Sequence, residues 1–338
     1  MNLKTFAISR SLKYFMGWHW KGWNWKIWCG LVGFMILWPL VYPEKFYLHV
    51  SIFLFLHLIG AVSLNLCMRA GLLSFAHAGF MAIGAYTSTL LVMRAGIPFI
   101  IAFPLAGIAA GIVSLVFGPI ILRLKGVYFV LISFVFGEII RLVAVNWESL
   151  TGGSNGIYDI PPAILGFCFF SVPLDTAVSV YYFSMVIALL ICAVCMSLIK
   201  SEFGRALYSI HEDVVLAECI GVNSVKYKII AFFLGASMIG LAGGIFAHYV
   251  RYISPIDFTW RFALDFIAYN VVGGIFSLGG PIIGTFVLVP LPEFLRGAVE
   301  YQWIIYSGII ICMVLFMPGG LVTLPDEITR MMTRAKRT

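Results

Sequence analysis

Charge is scarce in this sequence. Asp, Glu, Lys and Arg make up 11% of its 338 residues, whereas a soluble domain carries about 25%. The hydrophobic share is 62%, and apolar stretches of about 20 residues, the length that crosses a bilayer, recur along most of the chain. No stretch remains for a soluble domain of useful size. Acidic residues are scarcer still, 15 against 22 basic, for a net charge of +7. The basic residues lie in short segments between apolar runs and form no dense stripe or basic-aromatic array, so the excess reads as membrane topology and not as nucleic-acid binding.

Catalytic signatures are missing as well. There is no G-x-x-x-x-G-K-[ST], so the chain holds no ATP by a P-loop, and no H-E-x-x-H, G-x-S-x-G or spaced metal-ligand set. No metal or cofactor is expected on this chain. If ATP drives its work, ATP and Mg belong to separate partner chains. A disulfide framework is also unexpected. The seven cysteines (Cys29, Cys67, Cys168, Cys192, Cys195, Cys219 and Cys312) are odd in number and lie mostly in apolar stretches, where cysteine behaves as a small hydrophobe. Cys192-x-x-Cys195 has no second pair or flanking His. The N-terminus lacks a small-residue cleavage site, so no cleavable signal peptide is read there. Its tryptophans, Trp18, Trp20, Trp23, Trp25 and Trp28, read as an interfacial anchor.

What the chain does have is a series of apolar runs near 27–43, 46–68, 71–93, 97–122, 127–147, 177–199, 228–250, 262–277, 281–296 and 302–317. They predict an all-α, polytopic helical bundle of about ten transmembrane helices. The eighth and ninth are short and interrupted by Gly273, Gly274, Gly279, Gly280, Pro281 and Gly284, so broken or re-entrant helices, and a count of eight to ten, stay open. With the N-terminus inside, 16 of the 22 Lys and Arg fall on the cytoplasmic side. The positive-inside rule then places both termini in the cytoplasm. The predicted organisation is a basic, Trp-rich segment at 1–26, a membrane domain at 27–320, and a basic tail at 321–338. Two connections are long. Residues 148–175 are expected outside and rich in turn formers; residues 200–227 are expected inside as a short amphipathic helix stopped by glycine.

Ionisable residues inside membrane spans are costly and mark candidate sites. Glu138 and Arg141 are three apart on one helix face and can neutralise each other. Asp265 lies near the outer end of a span. His77 sits among Ser74, Gly71, Gly79 and Gly84, a pattern that suggests a thin, polar, locally unwound helix lining a path. Tyr86 on the same stretch and Asn155 in the outer glycine-rich loop complete the path candidates. Gly107-x-x-x-Gly111, Gly240-x-x-x-Gly244 and Gly280-x-x-x-Gly284 permit close helix approach.

Ordered blocks of this sequence resemble the LivM-type permeases of branched-chain amino-acid ABC importers. They are GLLSFAHAGFMAIGAYTSTLL at 71–91, LRLKGVYFVLISFVFGEIIRLV at 122–143, LTGGSNGI at 150–157 and SEFGRALYSIHEDVVLAECIGVNSVKYK at 201–228, followed by GLAGGIFAHYVRYISP and VVGGIFSLGGPIIG. The resemblance covers roughly residues 50–320. It implies a bacterial inner-membrane permease paired with a second, H-type permease, two cytoplasmic ATPases and an extracytoplasmic solute-binding protein. It also implies that 200–227 is the coupling segment, in which Ala217, Glu218 and Gly221 match the short motif that docks on the ATPase, with Cys219 replacing the usual alanine. Gly204, Arg205, Glu212 and Asp213 join them as coupling candidates. The acids Glu212, Asp213 and Glu218 are expected to meet basic groups on that partner. Branched-chain or other hydrophobic amino acids are the implied solutes; relatives moving urea, short amides or aromatic acids leave these as alternatives. A stand-alone ion-coupled transporter or channel is a rival class, as is a membrane-embedded enzyme. The first needs mid-membrane coupling carboxylates, where the sequence offers Glu138 and Asp265, and the second a clustered His, Asp or Ser set that is not found.

Overall fold

The computed structural model describes residues 25–41, 44–167, 170–275, 277, 279–295, 301–316 and 319–323. The chain divides into two compact units, 1–48 and 49–338. Most of the Trp-rich N-terminal segment and of the 321–338 tail lies outside the described residues. In chain order the main helices are α1 (Trp25–Val41), α2 (Lys45–Met68), α3 (His77–Met93), α4 (Phe99–Ile121), α5 (Val127–Asn146) and α6 (Ala177–Lys200). They continue with α7 (Glu202–Glu212), α8 (Val214–Cys219), α9 (Ser224–Val250), α10 (Trp260–Gly273), α11 (Gly279–Leu288) and α12 (Gln302–Phe316).

Five of these, α2, α4, α5, α6 and α9, are long and apolar enough to cross a membrane. The other expected spans are shorter or broken. A short helix, Pro290–Phe294, follows α11 in place of one continuous span over 281–296. The third expected span also starts late: helix begins at His77, and residues 71–76 are not helical. Gly71 at φ +76 ends the turn after α2, a conformation that an L side chain adopts only under strain. The freed backbone is then tied down by side chains: Phe75 N donates to Ser133 Oγ of α5 at 3.1 Å, and Ala76 N to Ser74 Oγ at 3.2 Å. Irregular backbone at membrane depth persists only when its polar groups are satisfied in this way.

At the centre of the second unit α3, α4 and α9 meet through small residues. A Cβ at Gly84 would run into the Gly240 carbonyl, and one at Gly243 into the Met81 carbonyl. Cβ atoms at Gly107 and Gly240 would lie 2.8 Å from Leu241 and 2.7 Å from Ala110. Two of the small-residue pairs in the sequence therefore sit at this contact, where the missing side chains let backbones approach. The third works likewise: a Cβ at Gly284 of α11 would strike the Tyr269 carbonyl of α10.

The connection at 148–175 departs from the all-α expectation. It carries an antiparallel hairpin, β1 (Ala163–Phe167) and β2 (Phe170–Leu174), in the register Ala163↔Leu174. Alternating, β-branched and aromatic residues with no helical period explain the strands. The preceding TGGSNG segment is a helical turn at Glu148–Thr151 and a 3₁₀ turn at Gly153–Asn155. Thr151 Oγ1 donates to the Ala144 and Trp147 carbonyls at 2.6 and 2.8 Å, and Ile157 pairs with Ile253.

Candidate functional site

The path candidates fall mainly along α3. Its first residue, His77, is fully buried, and the Ser63 carbonyl of α2 faces its ring. Neither ring nitrogen makes a hydrogen bond of ordinary geometry. The Tyr86 hydroxyl, Thr89 Oγ1 and, across the helix contact, Ser237 Oγ are buried without partners too. A polar atom left unpaired in an apolar bundle costs about 1–3 kcal/mol, so this seam gains whenever water or a polar solute reaches it. Ser74 is buried and spent on the Ala76 amide. Tyr86 packs near Phe258 with ring centroids 6.3 Å apart. The backbone carbonyl of exposed Asn155 accepts from Tyr252 at 3.1 Å, and Tyr252 packs against Tyr158 at 4.6 Å. Tyr86 and Asn155 thus flank the same segment, 251–258.

Glu138 and Arg141 form the ion pair that their spacing suggests, with Nε to Oε2 at 2.7 Å and about a quarter of each side chain exposed. They are not gathered with His77. Gly137, beside Glu138, does lie against the Phe75 carbonyl, so α5 touches the unwound segment through Ser133, Phe134 and Gly137. Asp265 hydrogen-bonds Tyr306 of α12.

Residues 200–227 are two helices, where one was expected. Each start has its own cap: Ser201 Oγ accepts from Phe203 N, Asp213 Oδ1 from Val215 N and Leu216 N at 2.8 and 3.1 Å, and Asn223 Oδ1 from Lys226 N at 3.0 Å. Asp213 must leave the helical region to cap α8 (φ −155, ψ 115), and this breaks the segment. Gly221 follows α8 at φ +88 with open space around it. Asp213 caps α8 and Glu218 accepts from Ser224 Oγ, while Glu212, Asp213 and Glu218 all stay exposed. Gly204 and Ala217 are buried within the segment. Arg205 pairs loosely with Glu202 at 3.5 Å on the surface. Val215 and Leu216 of α8, at 65%, and Ile220 just after it, at 76%, are exposed apolar residues, beside exposed Glu218 and Cys219.

Two polar clusters escaped the sequence reading. In the first, Asn65 Nδ2 donates to Asn270 Oδ1 at 2.9 Å and to the Ile275 carbonyl at 2.8 Å, while Arg69 Nε donates to Asn65 Oδ1 at 3.0 Å. Asn270 Nδ2 donates to the Ala61 and Phe266 carbonyls. The cluster ties α2 to α10. In the second, His248 Nδ1 faces the Pro161 carbonyl at 2.8 Å and its Nε2 lies 3.0 Å from Ser88 Oγ. A carbonyl only accepts, so Nδ1 carries the proton and a neutral ring leaves Nε2 to accept from Ser88. Asparagines inside apolar runs were a legible signal for the first; nothing in the sequence linked positions 88, 161 and 248.

His211 of α7 comes up beneath the break. A Cβ on Gly71 would be 3.7 Å from its Nδ1. Burial holds the His211 imidazole below its ordinary value of 6.5, with Glu212 and the Met68 backbone partly opposing the shift. The capped helices therefore abut the turn that leads through 71–76 to His77. Among the described residues no group of His, Cys, Asp or Glu is arranged to hold a metal ion. Cys195 Sγ packs 3.5 Å from Met238 Sδ.

Residues 30–317 match the family described as "Branched-chain amino acid transport system / permease component". The high-affinity branched-chain amino acid transport system permease protein LivM of Salmonella typhimurium is 30% identical over 307 residues, 85% of this chain and 72% of that protein. LivM of Escherichia coli K12 is 30% identical over 315 residues, 86% of this chain and 74% of its own length. The permease protein LivH of Salmonella typhimurium is 27% identical over 277 residues, 76% of this chain and 87% of that protein. No solved structure matches.

Proposed function

This chain belongs to the branched-chain amino acid transport permease family, and from that premise we propose that it is a permease subunit of an ABC importer for branched-chain amino acids. Both LivM and LivH relatives are permeases of branched-chain amino acid transport systems, which supports a paired arrangement with a second permease. Two ATPase subunits carrying ATP and Mg, and an extracytoplasmic solute-binding protein, complete the proposed assembly. In this reading the chain is multi-pass in the inner membrane, with about ten spans and both termini cytoplasmic, the shorter helices α1, α3, α10, α11 and α12 joining the five long ones.

The single observation that carries the reading is the capped pair α7–α8. A chain without a P-loop must receive ATP's free energy mechanically, through a rigid element on the cytoplasmic side. Here that element exposes Val215, Leu216 and Ile220 outward and sets His211 against Gly71 inward. Gly204 lies so close to the Ile199 carbonyl that no side chain fits, which stiffens the elbow between α6 and α7. Displacement of α8 by an ATPase is thereby delivered to the start of the unwound segment, and along it to the buried polar seam of α3. An apolar seam with a few unpaired polar atoms suits the passage of hydrophobic amino acids handed over by a binding protein.

The test is reconstitution of the chain with its neighbouring-gene partners in liposomes. ATP inside and binding protein with radiolabelled leucine outside should give uptake, and omission of ATP should abolish it. Leucine uptake driven by a sodium or proton gradient without ATP would reject the importer reading.

A further inference from the structure

The five long apolar helices do not present the same kind of face. Exposed positions of α4, among them Ile101, Ile108, Ile112, Val116 and Ile120, belong to a helix with no charged residue at all. Exposed Val186, Leu190 and Val194 of α6 belong to a helix whose one charge is its last residue, Lys200. Hydrocarbon covers such faces without cost.

The face of α5 is different. It is the least buried of the five, with 22% of its apolar stretch buried against 67% for α9. Its exposed residues Tyr128, Leu131, Val135, Ile139 and Leu142 form a stripe along one side, as those of α4 and α6 do, but here the stripe runs beside an ion pair within the helix. Glu138 and Arg141 flank that stripe with about a quarter of each side chain exposed. They are the twelfth and fifteenth residues of a twenty-residue helix, about 17 and 21 Å along an axis about 30 Å long at 1.5 Å per residue. That is membrane depth and not the interface. Among the described residues the hydrogen bond that Arg141 makes is to Glu138, through Nε, which leaves further guanidinium donors on a side chain about a quarter exposed. Lipid tails offer nothing to accept from such donors.

We propose that this face of α5 is the seam against the second permease subunit, and that a polar group or backbone carbonyl of that subunit completes the shell of the Glu138–Arg141 pair. The proposal rests on the importer reading above and adds which surface of the chain makes the pairing. The faces of α4 and α6 are left to lipid.

The experiment uses the whole importer, purified from membranes after ultraviolet irradiation. A photo-crosslinking residue, benzoylphenylalanine, is placed singly at Leu131, Ile139 and Leu142 on α5, with Ile108 and Val116 on α4 and Leu190 on α6 as controls; three α5 positions ensure that one disruptive substitution does not decide the result. The expected result is a covalent adduct with the second permease from at least two α5 positions, and no protein adduct from α4 or α6. Adducts with the second permease from α4 or α6, and none from α5, would overturn the assignment of the face while leaving the importer reading intact. An α5 adduct with another copy of this chain would overturn the choice of partner. Absence of any second permease from the purified complex would overturn both readings.

Discussion

Truncating the two most exposed apolar residues at the end of α8 tests how the ATPase is held. In the double variant Leu216→Ala/Ile220→Ala the fold should survive, because these side chains are 65% and 76% exposed and contribute little to the chain's own packing. Full burial of a Leu or Ile side chain is worth about 1.5–3 kcal/mol relative to exposure. With two thirds to three quarters of each available to a partner, and the alanine methyl keeping part of it, each truncation removes about 1–1.5 kcal/mol of docking. The pair then loses about 2–3 kcal/mol, which weakens ATPase affinity by about 30- to 140-fold at 1.4 kcal/mol per tenfold. The assay is titration of detergent-purified permease pair with ATPase subunits, read by co-elution and by solute-stimulated ATP hydrolysis. Ionic strength supplies a second axis. An apolar contact holds or tightens in salt, whereas docking through acids against a basic groove weakens as screening shortens the Debye length. Unchanged affinity in the double variant, or wild-type docking that dissolves between 0.1 and 1 M salt, would refute the apolar reading and return the contact to Glu212 and its neighbours.

Three other outcomes are expected. Gly84→Val should prevent assembly of the α3–α4–α9 core, because its new Cβ meets the Gly240 backbone and backbone cannot turn aside; overpacking of 1–3 kcal/mol or more should appear as lost monodisperse protein, and normal recovery would contradict the packing. His77→Leu should keep assembly and lower leucine uptake, since neither ring nitrogen makes a hydrogen bond of ordinary geometry, whereas Asn65→Leu should destabilise the chain by about 1–3 kcal/mol by removing the Asn65 bonds to Asn270, the Ile275 carbonyl and Arg69; equal thermal stability for the two variants would contradict the assignment. His211 is held below its ordinary value by burial, so the unfolded chain binds more protons than the folded one between the depressed value and 6.5, and stability rises with pH across that window. Acidification below 6.5 should loosen α7, seen as faster amide exchange at 202–212, and His211→Gln should remove that pH dependence.

Much of this protein was legible before any coordinates. A bilayer demands about 20 apolar residues per crossing and internal satisfaction of every backbone group, so the runs at 99–121, 127–146, 177–200 and 224–250 had to be helices. The same demand made Glu138 and Arg141 a pair at three-residue spacing, and made the small-residue motifs at 107–111, 240–244 and 280–284 contact points. Capping is local too, and the residues that stop and start α7, α8 and α9 are Ser201, Asp213 and Asn223. Asp213 is both an exposed acid and the cap that splits the segment into two helices. What needed the tertiary structure is everything joined across distance. Glycines with Ser74 and His77 pointed to local unwinding near 71–77, but it is Ser133, from another helix, that supports residues 71–76 in that form. Asn65 meets Asn270 over 205 residues of chain, and Ser88 meets His248 over 160. No local propensity encodes such pairings, because they depend on which helix faces pack together, and in an apolar chain nearly every face is equally hydrophobic. The bare face of α5 belongs to the same class: it is exposed because, among the described residues, no other helix covers it.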